Sequence, residues 1–320
     1  MKGRIEEDKK VEQSVLKRLE DQPEIIVNYY YWLPPSNTIK SKRVYINSII
    51  KYSLYLQGRG KNITDTEFLS KIDRTEINRY CDSLKYKKNG EPNSISNCLL
   101  NLNVLKNFFD FLIDQHIMTT NPMYKYPMPK DNEEHEIVSM TEDEIEQVRM
   151  SIEDNSKMPE RDLAIFTIGI RTGLRVSSIR EINIQDIDWE NMSIAVTEKG
   201  NKIRRVYFSD STKWILEDWI NYRNAVFKDV KSDALFLSRN HNRISYRAIN
   251  NMLSTHTSML DKHITPHKMR STCATNLYDK TEDIYITAAV LGHSNLKNTQ
   301  RYAKIVEKNR RKAAEILDEL

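Results

Sequence analysis

The sequence predicts a mostly α-helical protein of two domains, the second carrying a small antiparallel sheet. Three observations predict it. Apolar residues recur at helical spacing through most of the 320 residues. Two short segments of strand-like alternation flank Gly200-Asn201, a pair suited to a hairpin turn. Three prolines within residues 121–130, followed by the acidic run 131–136, mark a break between two halves that are each long enough for a core.

In chain order, Ile25, Ile26, Tyr29, Tyr30 and Trp32 define a first helix that Pro34-Pro35 stops. Tyr45, Ile49, Tyr52 and Leu56 share one stripe of a second helix over 43–56, which Ile46 and Ile50 widen. Residues 73–85 read as a shorter helix, closed by the turn-like 87–92. A long helix follows over 94–116 through Ile95, Leu99, Leu102, Leu105, Phe109 and Leu112. The expected boundaries are a helical domain over 1–125, a linker over 126–138 and a second domain over 139–320. That second domain opens on Thr141-Glu-Asp-Glu144, a capping box. A helix over 159–171 ends at Gly173, a natural left-handed cap. Strands are expected at 192–197 and 204–208, with a further short one at 234–237. Helices are expected over about 211–225, 245–260, 267–279, 283–291, 297–303 and 306–319.

Composition narrows the class. With 39% hydrophobic and 29% charged residues and no apolar run of the roughly 20 residues a bilayer requires, no membrane partner is expected. The first residues lack the apolar stretch of a secretory signal, so a cytoplasmic location is expected. Cys81, Cys98 and Cys273 are widely spaced and form no CxxC pair, which suits free thiols rather than a structural metal site. The net charge of +4 divides into +6 over residues 1–130, −9 over 131–160 and +7 over 161–320. Two positive blocks on either side of an acidic joint suit a grip on a polyanion.

The chemistry-bearing residues cluster in the second half. Thr172-Gly-Leu-Arg175 is followed 24 residues later by Lys199, then by His267-Lys-Met-Arg270, and then by Leu291-Gly-His293 with Tyr302 nine residues on. Arginine forks suit phosphate oxygens, a lysine or histidine can serve a departing oxygen, and a phenol can attack; together they can open a phosphodiester without a metal. His263 and His267 are four apart, but Pro266 breaks the helical face a metal pair needs and no acidic cluster joins them, so no metal is expected. No glycine-rich nucleotide loop is present, and no cofactor is expected.

These four motifs, in this order and with these gaps, resemble the tyrosine recombinases, the family of phage integrases, Cre and the Xer proteins. The likeness is strong over 141–305 and rests on helical layout alone over 25–120. It implies a helical core-binding domain and a mainly helical catalytic domain with a small sheet, closing as a C-shaped clamp on duplex DNA. It also implies that Tyr302 is the nucleophile, that Arg175 and Arg270 hold the non-bridging oxygens, that Lys199 is the general acid with Lys202 a nearby competitor, and that His267 and His293 assist at the phosphate. Tyrosine alone carries no such meaning in a chain with 16 of them; its distance from Leu291-Gly-His293 does.

Lys40, Lys42, Arg43 and Lys106 in the first domain, and Arg204, Arg205, Arg243 and Arg247 in the second, are candidate phosphate contacts. The family resemblance further implies double-stranded target sites, a tetramer on two duplexes that exchanges its C-terminal helix (residues 306–320), and accessory DNA-bending proteins as a further partner class. The implied reaction is site-specific cleavage and rejoining through a 3′-phosphotyrosyl link, used for integration or excision of a mobile element or for Xer-like resolution. A nicking-closing topoisomerase and a DNA-binding protein with a decayed site remain alternatives. Two positions depart from the family pattern: Ser178 stands where an acid is usual, with Glu181 one helical turn on, and Ser271 follows Arg270 where histidine is common.

Overall fold

The computed structural model describes residues 2–87, 89–130, 137–197, 203–293, 295–296, 299–300 and 302, with side chains from Asp8 onward. The chain divides into two compact units, Met1–Glu134 and His135–Leu320.

The first unit is helical: α1 (Lys2–Leu19), α2 (Glu24–Trp32), α3 (Ile39–Gln57), α4 (Thr66–Ser70), α5 (Arg74–Ser83) and α6 (Ile95–Asp114). Side-chain oxygens of Thr38, Asp65, Asp73 and Ser94 each accept a backbone N–H and so start α3, α4, α5 and α6. The core is aromatic. Tyr29 meets Phe108 edge to face at 5.2 Å, and Tyr52 meets Tyr80 at 4.8 Å. The buried Tyr29 hydroxyl donates to Asn107 Oδ1 at 2.6 Å, and burial pushes its pKa above the ordinary phenol value. Helix α1 was not expected, because charged residues fill most of its positions. Among its described side chains only Val15 and Leu19 are fully buried, too few to set a periodic signal.

The second unit contains α7 (Glu142–Asn155), α8 (Pro159–Thr172), α9 (Val176–Glu181), β1 (Ile187–Asp188), β2 (Ser193–Thr197), β3 (Ile203–Tyr207), α10 (Asp210–Val226), α11 (Tyr246–His256), α12 (Pro266–Thr281) and α13 (Ile284–Leu291). The strands form an antiparallel sheet in the order β1-β2-β3, with Ser193 opposite Tyr207 and Thr197 opposite Ile203. The capping box at Thr141 forms: Glu144 N–H donates to its hydroxyl at 3.2 Å, and Thr141 N–H donates to the Glu144 carboxylate at 2.7 Å.

Residues 234–237 are not a strand. They make only single bridges, Ala234 to Asn183 and Leu237 to Arg243. Carbonyls that a ladder would use accept side-chain donors instead: Trp219 Nε1 gives to Leu235 O at 3.0 Å and Arg223 Nε to Ala234 O at 3.2 Å. Among the expected helices, 306–319 and most of 297–303 fall outside the described residues, although Thr299, Gln300 and Tyr302 are helical. Among the described residues no helix is long and apolar enough to cross a membrane.

Candidate active site

The site is assembled around two chain reversals that each require glycine. Helix α8 ends at Gly173 with φ +61°, and a Cβ there would stand 2.6 Å from Leu291 Cδ2 and 3.1 Å from Cys273 Sγ. Helix α13 ends at Gly292 with φ +65°, which turns the chain into His293. Gly173→Ala would add both left-handed strain and a clash in a packed interior. We expect it to lower the unfolding free energy by about 2–4 kcal/mol, read from urea denaturation.

Arg270 joins these two reversals. It lies one turn into α12, is only 2% exposed, and donates from Nη1 to Gly173 O at 2.6 Å and from Nη2 to Leu291 O at 2.7 Å. Two of the five donors of a guanidinium are thus spent on fixing the turn that leads to Arg175 and the turn that leads to His293. Arg175 itself is exposed and occupies the N-cap position of α9. His267, also exposed, stands in the first turn of α12 just after Pro266, so His263 falls outside that helix. His293 is half-buried, with Nδ1 2.8 Å from the hydroxyl of the fully buried Thr299.

Tyr302 is 2% exposed and packs in a small cluster with Ala274 of α12 and Leu291 of α13, against which the partly buried Ile137 rests. Leu291 is therefore the pivot: its carbonyl takes Arg270, while its side chain packs beside Gly173 and Tyr302. Beneath it, burial pushes the Cys273 thiol up to about 11, which keeps it neutral and unreactive.

Lys199 and its competitor Lys202 fall in 198–202, the segment joining β2 to β3, outside the described residues; Arg301 is outside them as well. Among the described residues no group of three or more His, Cys, Asp or Glu side chains is placed to hold a metal ion.

Two of the candidate phosphate contacts, Arg204 and Arg243, bond to carbonyls of the chain itself. Arg204 donates to Val290 O at 2.9 Å and ties β3 to α13 one residue before the pivot. Arg243 donates to Arg180 O at 2.7 Å, Ile182 O at 3.1 Å and Asn183 Oδ1 at 2.6 Å, and burial holds its pKa below the usual arginine value. Both are half-buried and bonded into the fold, Arg204 to the last turn of α13 and Arg243 to the end of α9 and the residues just after it. Arg205 is exposed yet engaged by Asp188 at 3.0 Å, and Arg247 is exposed on α11. In the first unit, Lys40 stands 3.7 Å from Asp8, Lys42 lies 5.0 Å from the Tyr30 ring centre, Arg43 is exposed and Lys106 is half-buried. Glu181, one turn on from Ser178, pairs with Arg180 at 3.1 Å.

Sequence reasoning missed the anchor just upstream of α7. Met140 N–H donates to the Thr272 hydroxyl at 3.0 Å, and Ile137 rests on the Tyr302 cluster. The only signal was an apolar Ile137-Val138 pair directly after an acidic run.

Comparison with known proteins shows the family and the fold. Residues 139–309 match the phage integrase family. Tyrosine recombinase XerC of Haemophilus influenzae (strain PittEE) is 34% identical over 224 residues, covering 69% of this chain and 73% of that protein. XerC of Escherichia coli O157:H7 is 30% identical over 208 residues, covering 64% and 68%. The fold is shared with the XerH site-specific recombinase bound to its palindromic difH substrate (TM-score 0.67, 20% identity, 88% of this chain and 81% of that one). It is shared also with the Tn1549 transposon integrase in complex with transposon right end DNA (TM-score 0.69, 18% identity, 87% and 93%). The chain belongs to the phage integrase family, the tyrosine recombinases, and is a site-specific DNA recombinase.

Proposed function

We propose that Tyr302 attacks a scissile phosphate of a duplex target site, leaving a 3′-phosphotyrosyl link and a free 5′ hydroxyl. The 5′ hydroxyl of a partner strand then attacks that link and releases the phenol. Two such rounds pass through a four-way junction. The bond broken in each step is replaced by another phosphodiester, so the reaction is balanced without ATP. Arg175 and Arg270 donate to the non-bridging oxygens and gain strength as charge builds up in the transition state. Lys199 protonates the departing 5′ oxygen, and His267 and His293 hydrogen-bond the phosphate. The observation that carries this reading is Arg270, whose guanidinium bonds the turn before Arg175 and the turn before His293 while Tyr302 packs on the same leucine.

In this reading residues 1–125 form the core-type DNA-binding domain, 126–138 the linker and 139–320 the catalytic domain. Lys40, Lys42, Arg43, Lys106, Arg205 and Arg247 are the backbone-phosphate contacts. The biological task is integration or excision of a mobile element, or Xer-type resolution, and both use the same chemistry. The working assembly is a tetramer on two duplexes, with residues 306–320, whose Ala313, Ala314, Ile316, Leu317 and Leu320 fall on one side of a helical register, passed to a neighbour. Deleting 306–320 should leave binding of one duplex intact while abolishing recombination and higher assembly, seen by light scattering; unchanged recombination refutes the exchange. The reaction itself is tested with a nicked suicide duplex in EDTA without nucleotide. A covalent adduct should accumulate, and its absence while the duplex is bound rejects the mechanism. Supercoil relaxation without sequence preference and without recombinant product would favour a topoisomerase instead.

A further inference from the structure

Buried threonines in the helices of the second unit turn their hydroxyls back on their own helix. Thr172 donates to Ile168 O at 2.6 Å, Thr272 to Lys268 O at 2.8 Å and Thr287 to Asp283 O at 2.8 Å. Thr299 differs. The residue four before it, Asn295, lies in a bend rather than in a helix, and the Thr299 hydroxyl stands 2.8 Å from Nδ1 of His293 instead. Thr299 is 0% exposed, so this hydroxyl is shielded from water and finds its partner within the protein.

Its place in the chain gives the contact a consequence. The Thr299 N–H donates to Leu296 O at 2.8 Å and so begins a helical turn. Tyr302, itself 2% exposed, follows three residues on, which is one turn of that helix. One buried side chain therefore ties the ring that follows the Gly292 reversal to the turn that carries the phenol. The contact also bears on the proton of the ring. A phosphate oxygen only accepts, so a neutral imidazole that serves it must donate. The hydrogen bond made by one ring nitrogen sets which of the two carries the proton. A hydroxyl that donates to Nδ1 leaves the proton on Nε2.

We infer that Thr299 is a positioning residue for strand cleavage: its hydroxyl donates to Nδ1 of His293 and holds the ring as the Nε2–H tautomer, aligned with the turn that carries Tyr302. The inference deepens the mechanism proposed above and rests on its assignment of His293 to the phosphate.

The test is single-turnover cleavage of a suicide duplex by the full-length protein. T299V removes the hydroxyl at nearly constant volume and should slow cleavage about tenfold, the worth of one hydrogen bond, with duplex affinity unchanged. T299S keeps the hydroxyl and should cleave at close to the wild-type rate. H293A should slow cleavage about 10²-fold, and T299V/H293A should be no slower than H293A. Nitrogen-15 spectra of the neutral ring should show His293 protonated at Nε2 in the wild type and as mixed tautomers in T299V. A wild-type rate in T299V beside a slowed H293A overturns the positioning role alone. A wild-type rate in H293A overturns the reading of His293 at the phosphate, and the inference with it. A T299S as slow as T299V, a T299V/H293A slower than H293A, or a wild-type ring protonated at Nδ1 each overturns the role of the hydroxyl. If T299V fails to fold, T299A against T299S isolates the hydroxyl: equal rates overturn the proposal, and a slower T299A supports it.

Discussion

Tyr302→Phe is expected to abolish the covalent protein–DNA adduct on a nicked suicide duplex while leaving duplex binding and thermal stability near wild-type values. The substitution removes one oxygen and nothing else. Tyr302 is 2% exposed among Ala274 and Leu291, and a phenyl ring fills that space with the same apolar contacts, giving up only what the hydroxyl itself makes. No other group should substitute for the phenol, because covalent transfer needs an oxygen held at the phosphate while the leaving oxygen is protonated. Adduct should fall below detection in the same gel assay in which the wild type is trapped. An adduct that persists in the variant places the nucleophile elsewhere in the chain.

Arg270→Ala and Arg175→Ala should differ in kind, although both should slow cleavage by about 10²–10³-fold or more, as expected for loss of a donor to the transition-state oxygens. Arg270 is buried and satisfies Gly173 O and Leu291 O. Its removal strands two carbonyls, each worth roughly 1–3 kcal/mol when left unpaired in a buried setting. A loss of roughly 2–5 kcal/mol in urea denaturation should therefore accompany the kinetic defect. Arg175 is exposed at the start of α9, and its removal should change stability by no more than about 0.5 kcal/mol. Single-turnover cleavage on a suicide duplex, run beside urea denaturation, separates the two. Equal stability losses in both variants would contradict the bridging role assigned to Arg270, and full cleavage activity in either would remove that arginine from the chemistry.

Much of this molecule was legible because local physics agrees with the final fold. Thr141 and Glu144 form a capping box from sequence alone, and the stripes over 43–56 and 94–116 bury most of the residues their period selects, with Tyr45, Ile95 and Leu99 left half-buried. Where the reading failed, a distant group had taken over a local preference. Residues 234–237 look like a strand, but Trp219 and Arg223 claim their carbonyls. Helix α1 is held by packing of Val15 and Leu19 rather than by an apolar stripe. In the candidate site, motif spacing singled out Arg175, His267, Arg270, His293 and Tyr302, yet charge alone could not tell an exposed arginine from one bonded into the fold. Arg204 and Arg243 read as surface cations, and only three-dimensional proximity reveals the carbonyls of Val290, Arg180 and Ile182 that receive them. Likewise, nothing in the spacing of Leu291-Gly-His293 announces that one leucine meets Gly173, Arg270 and Tyr302 at once.

The most direct measurement is the identity of the amino acid joined to DNA. Wild-type protein trapped on a suicide duplex, trimmed by nuclease and protease and sequenced by tandem mass spectrometry, should carry a 3′-linked nucleotide on the oxygen of Tyr302. A nucleotide on any other residue, or a 5′ linkage, contradicts the account.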